Sequence, residues 1–69
     1  MNIDISNTRM SGDVDILLYD MDGKLLISKT QLATPVLQLA VDSLTDGNYF
    51  VQIRNNKYLV GKRVVIVRK

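Results

Sequence analysis

The stretch Leu44-Thr45-Asp46-Gly47-Asn48-Tyr49-Phe50-Val51-Gln52-Ile53-Arg54 constrains the fold of this chain more than any other. A Leu-x-x-Gly-x-Tyr turn runs directly into a segment that alternates apolar and polar side chains, the period of a half-buried strand. Glycine supplies backbone freedom at the corner. The tyrosine can bury its ring while its hydroxyl returns to a nearby main-chain group, the arrangement of a tyrosine corner in a β-sandwich. Such a corner predicts a fold and no chemistry.

The rest of the chain is read as more strands of the same kind. Asn2-Ile3-Asp4-Ile5-Ser6 alternates with period two, and residues 7–12 supply turn formers. Val14 to Tyr19 follows, with Val14, Ile16 and Leu18 on the expected core face. Asp20-Met21-Asp22-Gly23 turns the chain and Lys24 to Lys29 returns it, since Asp-Gly between two apolar runs is a strong hairpin signal. Residues 30–34 are expected to cross from one sheet to the other. In Val36 to Val41, the residues Leu37, Ala40, Val41 and Leu44 recur at helical spacing. Leu37, Leu39 and Val41 also fit period two, and Asp42-Ser43 breaks any longer helix, which favours a strand. After Arg54 come an Asn55-Asn56 turn, then Lys57 to Val60, then Arg63 to Arg68; Gly61 between them predicts a bulge or a crossing between sheets. Six or seven short strands with frequent turns read as a small antiparallel, immunoglobulin-like β-sandwich.

At 69 residues the chain makes one domain, residues 1–69, near the lower size limit for unaided folding. Its 46% hydrophobic fraction suffices for one compact core. No cysteine is present, so no disulfide or thiolate site exists. No apolar run approaches the roughly 18 residues that span a bilayer, and the N-terminus lacks the basic-then-apolar pattern of a signal peptide. An exported protein of this kind would carry its leader elsewhere.

Charge is small in total and uneven in placement. Residues 1–46 hold seven aspartates against Arg9, Lys24 and Lys29, a net of −4. Residues 47–69 hold Arg54, Lys57, Lys62, Arg63, Arg68 and Lys69 with no acid, a net of +6. Either the last strands pair with acidic neighbours and the asymmetry folds away, or a basic edge meets an anionic partner such as a phosphorylated surface glycolipid. Nucleic acid is not expected as a partner, because the basic residues lack interleaved aromatics and a binding module.

Reactive groups are scarce. The chain has no histidine, and Ser6, Ser11, Ser28 and Ser43 therefore have no imidazole to activate them. Enzyme activity is not expected, nor is any cofactor. Asp20-Met21-Asp22-Gly23 looks like half a calcium loop, but a dedicated loop needs a bidentate acid about six residues after the glycine. Lys24 to Lys29 supplies none, so ordinary turn chemistry is the reading, with a weak calcium site across two loops as its competitor.

Leu17, Tyr19, Leu26, Phe50 and Ile66 fall on faces that should point outward. Either they are semi-buried at strand ends, or they form a contact patch for a second protein or for weak self-association. The final strand is also expected to present an open edge for strand addition.

Three blocks together resemble a known family. Val14 to Leu26 is similar to a strand–turn–strand in which an apolar run leads into Gly-Lys. Leu39 to Arg54 carries Leu44-x-x-Gly47-x-Tyr49-Phe50-Val51-x-Ile53, differing at Asn48, where a small apolar residue is usual. Lys62 to Lys69 resembles a terminal basic–apolar–basic strand. In this order and spacing, over residues 2–69, they resemble the C-terminal sorting domain of the type IX secretion system. The resemblance implies a secretion signal made of folded structure at the end of a larger exported protein. Such a tag passes through the periplasm, is recognised by outer-membrane secretion machinery, and is often removed by a sortase-like peptidase that joins the cargo to anionic lipopolysaccharide. Gly47, Tyr49, Lys62, Arg63, Val65, Val67, Arg68 and Lys69 are then the expected recognition residues, and the cargo is expected at the cell surface or in the medium. The competing expectation is a free-standing structural or adhesive sandwich that binds protein or glycan through Phe50 and Leu17.

Overall fold

The computed structural model describes residues 1–8 and 10–67. Six strands form: β1 (Asn2–Asp4), β2 (Asp13–Tyr19), β3 (Leu25–Leu32), β4 (Val36–Gln38), β5 (Gly47–Arg54) and β6 (Leu59–Ile66). They make two antiparallel sheets, a four-stranded one ordered β3-β2-β5-β6 and a two-stranded one of β1 and β4. The fold is therefore all-β, a small sandwich with four strands in one layer and two in the other.

Alternation explains the core. Val14, Ile16 and Leu18 of β2 and Tyr49, Val51 and Ile53 of β5 face inward, as expected from their period. Ile3, Ile5, Leu37 and Leu39 of the small layer meet them. Ile16, Leu18, Leu37 and Val51 are completely buried, and each such side chain contributes about 1.5–3 kcal/mol by leaving water.

The β2–β3 hairpin turns where the Asp-Gly pair predicts. The Asp20 N–H donates to the Lys24 carbonyl (3.0 Å), and the Gly23 N–H to the Asp20 carbonyl (3.1 Å). Gly23 adopts φ +89°, the left-handed residue of a three-residue hairpin loop. One Asp20 carboxylate oxygen accepts the N–H groups of Asp22 and Lys24, each at 2.9 Å.

Five expectations are corrected. The sheet crossing is shorter than residues 30–34, because β3 runs on to Leu32 and only residues 33–35 connect it to β4. The segment after Pro35 is a strand, but only as far as Gln38; Leu39 stays buried beyond it, with its N–H donating to the Met1 carbonyl (2.9 Å). Gly61 interrupts nothing: β6 is one strand whose register with β5 passes through the Gln52–Gly61 pair without a shift. The register shift lies instead in the β2–β3 pair, where Leu18 faces Ile27 and Tyr19 faces Leu25, leaving Leu26 as the extra residue. That bulge turns Leu26 from its expected outward face to pack against the core.

Ile66 is the fifth. Its register partner is Gly47, two residues from inward-facing Tyr49, so Ile66 also faces inward and is 7% exposed. Leu17, by contrast, points outward as expected yet is buried, lying in register between Ser28 and Gln52.

Candidate functional site

The corner forms as its residues require. Gly47 opens β5 at φ +153°, a conformation that a side chain would strain. The Tyr49 ring is buried, and its hydroxyl donates to the Thr45 carbonyl at 2.7 Å. The Thr45 hydroxyl lies 3.3 Å from the same phenolic oxygen; the tyrosine's one proton is committed to the carbonyl, so the threonine is the donor. The corner is thus closed by side chain and main chain within four residues of sequence.

The register brings this corner to the C-terminal half of β6. Gly47 faces Ile66, Asn48 faces Val65 and Tyr49 faces Val64. The two expected recognition elements therefore lie side by side, and β5 carries β6 along its whole length.

Alternation then divides the basic residues of β6 between two faces. Lys62 opposes inward Val51, and its ammonium donates to the Asp4 carbonyl of β1 at 3.3 Å. Arg63 opposes Phe50 on the outer face, is exposed, and makes no ion pair among the described residues. Val65 shares that outer face and is 64% exposed; Val67, just past the strand, is 72% exposed. Arg68 and Lys69 lie outside the described residues.

Electrostatics around β6 are local. Hydrogen bonds from the Ser6 side chain and its N–H hold the Asp4 carboxyl below its ordinary value of 3.8; desolvation opposes them, and the nearby Lys62 charge is the least of the effects that lower it. Arg54 pairs with Asp15 at 3.6 Å, a surface contact worth little, and Thr30 donates to the same carboxylate at 2.7 Å. The charge asymmetry of the sequence thus folds away at Arg54 and in part at Lys62, and stays open at Arg63.

The outer face of the large sheet carries residues that the sequence did not order. Leu25, Tyr19, Phe50 and Arg63 form one row across all four strands. Phe50 also explains Gly61, because a Cβ there would sit 2.7 Å from the ring's Cζ. The ring covers the glycine from the neighbouring strand. The sequence signal for this was present in the tight Asn55–Tyr58 turn. The Asn55 side chain accepts the Lys57 and Tyr58 N–H groups (2.9 and 2.8 Å) there, and the turn sets Arg54 opposite Leu59 and hence Gly61 diagonal to Phe50.

Asp20 of the first hairpin acts in the turn, its carboxylate accepting two backbone N–H groups as described. Among the described residues no three carboxylates gather as a metal site, and no helix is long and apolar enough to cross a membrane.

Comparison with known proteins agrees with the three-block order. A family model described as a secretion system C-terminal sorting domain matches residues 1–67. No curated protein matches the chain, and no solved structure does. A domain of this kind engages the type IX secretion machinery and serves a cargo exported to the cell surface or extracellular space. The corner, the hairpin and the terminal strand therefore stand in a chain that belongs to the secretion system C-terminal sorting domains, the folded sorting signals of type IX secretion.

Proposed function

We propose that the domain is read at the outer membrane through β6, with the Gly47–Tyr49 corner holding that strand in register. The observation that carries this is the alignment of Gly47, Asn48 and Tyr49 with Ile66, Val65 and Val64 at one end of the β5–β6 pair. A corner locked by a 2.7 Å tyrosine hydrogen bond keeps the strand beside it in one register, and a receptor needs one register to read.

In this reading the chain is one domain at the C-terminal end of a larger exported protein. It crosses the periplasm with its cargo and catalyses nothing itself. A sortase-like peptidase then removes it, and the cargo is joined to an anionic surface glycolipid. Gly47 and Tyr49 position the strand, whereas Lys62, Arg63, Val65, Val67, Arg68 and Lys69 present it.

Deletion of residues 62–69 from a cargo fusion should leave the cargo in the periplasm. Normal export of the truncated fusion would sink the reading. Because the deletion removes most of β6, circular dichroism of the truncated domain must accompany it, and Tyr49→Phe, which keeps every strand, serves as the second variant. Weakened export of Tyr49→Phe at unchanged expression is the expected result.

A further inference from the structure

β6 is an edge of the large sheet: it pairs with β5 and with no other strand among the described residues. One row of its main-chain N–H and C=O groups therefore remains open to a further strand. β3 is the other edge, and the two share a composition. Neither contains a carboxylate, and each carries a lysine near its middle on the core-facing side, Lys29 opposite Ile16 and Lys62 opposite Val51. Both ammonium groups reach the small layer, Lys29 at the Gln38 carbonyl (3.5 Å) and Lys62 at the Asp4 carbonyl (3.3 Å).

β6 departs from β3 in two respects. It has a second cation next to the first, Arg63, which faces outward and is exposed. On the core-facing side its lysine also lies between two half-buried valines, Val60 and Val64, where that of β3 lies between half-buried Ile27 and polar Gln31. A strand laid along β6 would cover these valines with alternate side chains and set its own residues against Lys62 and Arg63.

Charge selects among occupants. Two copies joined edge to edge through β6, antiparallel about the strand's centre, would set Lys62 and Arg63 against the same cations of the other copy. Like charges directly opposite one another are destabilising, and opposite charges favourable. Pairing β6 with β3 of a second copy brings no carboxylate to the contact either. The edge suits an acidic strand and discourages a second copy.

We infer that the β6 edge takes, as an added antiparallel strand, an extended segment of the secretion machinery with two adjacent acidic residues. One acid lies opposite Lys62 on the core-facing side and the other opposite Arg63 on the outer face. Apolar residues two positions from the first acid lie opposite Val60 and Val64. Main-chain hydrogen bonds supply affinity, and the acidic pair together with the flanking apolar positions sets register and choice of partner. This inference rests on the sorting reading for the identity of the partner, and on the edge alone for its chemistry.

The test uses the whole domain, labelled with ¹⁵N, and the peptide Val-Thr-Val-Glu-Glu-Thr-Val as probe, with Lys-Lys in place of Glu-Glu as control. The acidic peptide should shift the amides of residues 59–66 and bind on the order of tenfold more tightly than the control. Arg63→Glu, at a position with no ion pair among the described residues, should reverse that preference and lower export of a cargo fusion while leaving the circular dichroism spectrum unchanged. Equal binding of both peptides, shifts confined to β3 or the turns, or export of Arg63→Glu at the unmodified level would overturn the inference. So would β6 amide shifts that appear on concentrating the domain alone, which would make a second copy the occupant. Failure of the unmodified fusion to be exported would count against the sorting reading, and the peptide titration would still decide the edge.

Discussion

β5 and β6 are neighbours of the same length, and they differ in almost everything else. β5 alternates cleanly, with Tyr49, Val51 and Ile53 buried and Phe50 and Arg54 exposed. β6 reads as the more apolar strand, Leu-Val-Gly-Lys-Arg-Val-Val-Ile, yet only Ile66 is buried. The difference is one of place. β5 lies between β2 and β6 beneath the small layer, whereas β6 has a neighbour on one side only. A central strand spends its apolar residues on the core; an edge strand leaves them available. In a sorting signal this separates the part that folds from the part that is read.

The largest expected effect tests that separation directly. Ile53→Ala, at a side chain 1% exposed, should destabilise the domain by about 2–5 kcal/mol. Leu59→Ala, on β6 in register with Arg54 and 63% exposed, should change stability by no more than about 0.5 kcal/mol. Urea unfolding of the two variants measures both, and comparable losses would break the comparison.

Tyr49→Phe comes next. It removes the donor to the Thr45 carbonyl and keeps the ring, so about 1–2 kcal/mol should be lost in the same assay. No loss would mean that the corner is held by ring burial alone.

The smallest effect joins the two strands. Gly61→Ala places a Cβ where the Phe50 ring now lies and should cost about 1 kcal/mol. Phe50 is partly exposed and can swing aside, so displaced ring resonances in the NMR spectrum are the sharper readout. Combining the change with Phe50→Leu should cost less than the two single changes together, because the clash is then gone. Additive losses would show that the ring and the glycine act separately.

Much of the fold was legible in the residues. The inward set of β2, the Asp20–Gly23 turn and the Gly47–Tyr49 corner all follow from local chemistry: side-chain period, a left-handed glycine, and a hydroxyl within reach of a carbonyl. The candidate site was legible in its parts and not in its arrangement. Lys62 and Arg63 are adjacent in sequence, but the pleat sends one toward Asp4 and the other toward Phe50. Leu26 and Ile66 were both assigned outward by alternation. A bulge overrides that assignment for Leu26, and the β5–β6 register overrides it for Ile66. Gly61 suggested a break because a lone glycine in a strand usually marks one; here it accommodates a ring from the adjacent strand.

By itself the sequence determined the all-β class, the positions of the turns and the corner that starts β5. Each of these depends on torsions and hydrogen bonds that close within a few residues. Only the tertiary structure decided which strands became edges, where the bulge fell, and which of two adjacent cations turned outward. Those outcomes depend on which strand lies alongside and in what register, and no local period carries that information.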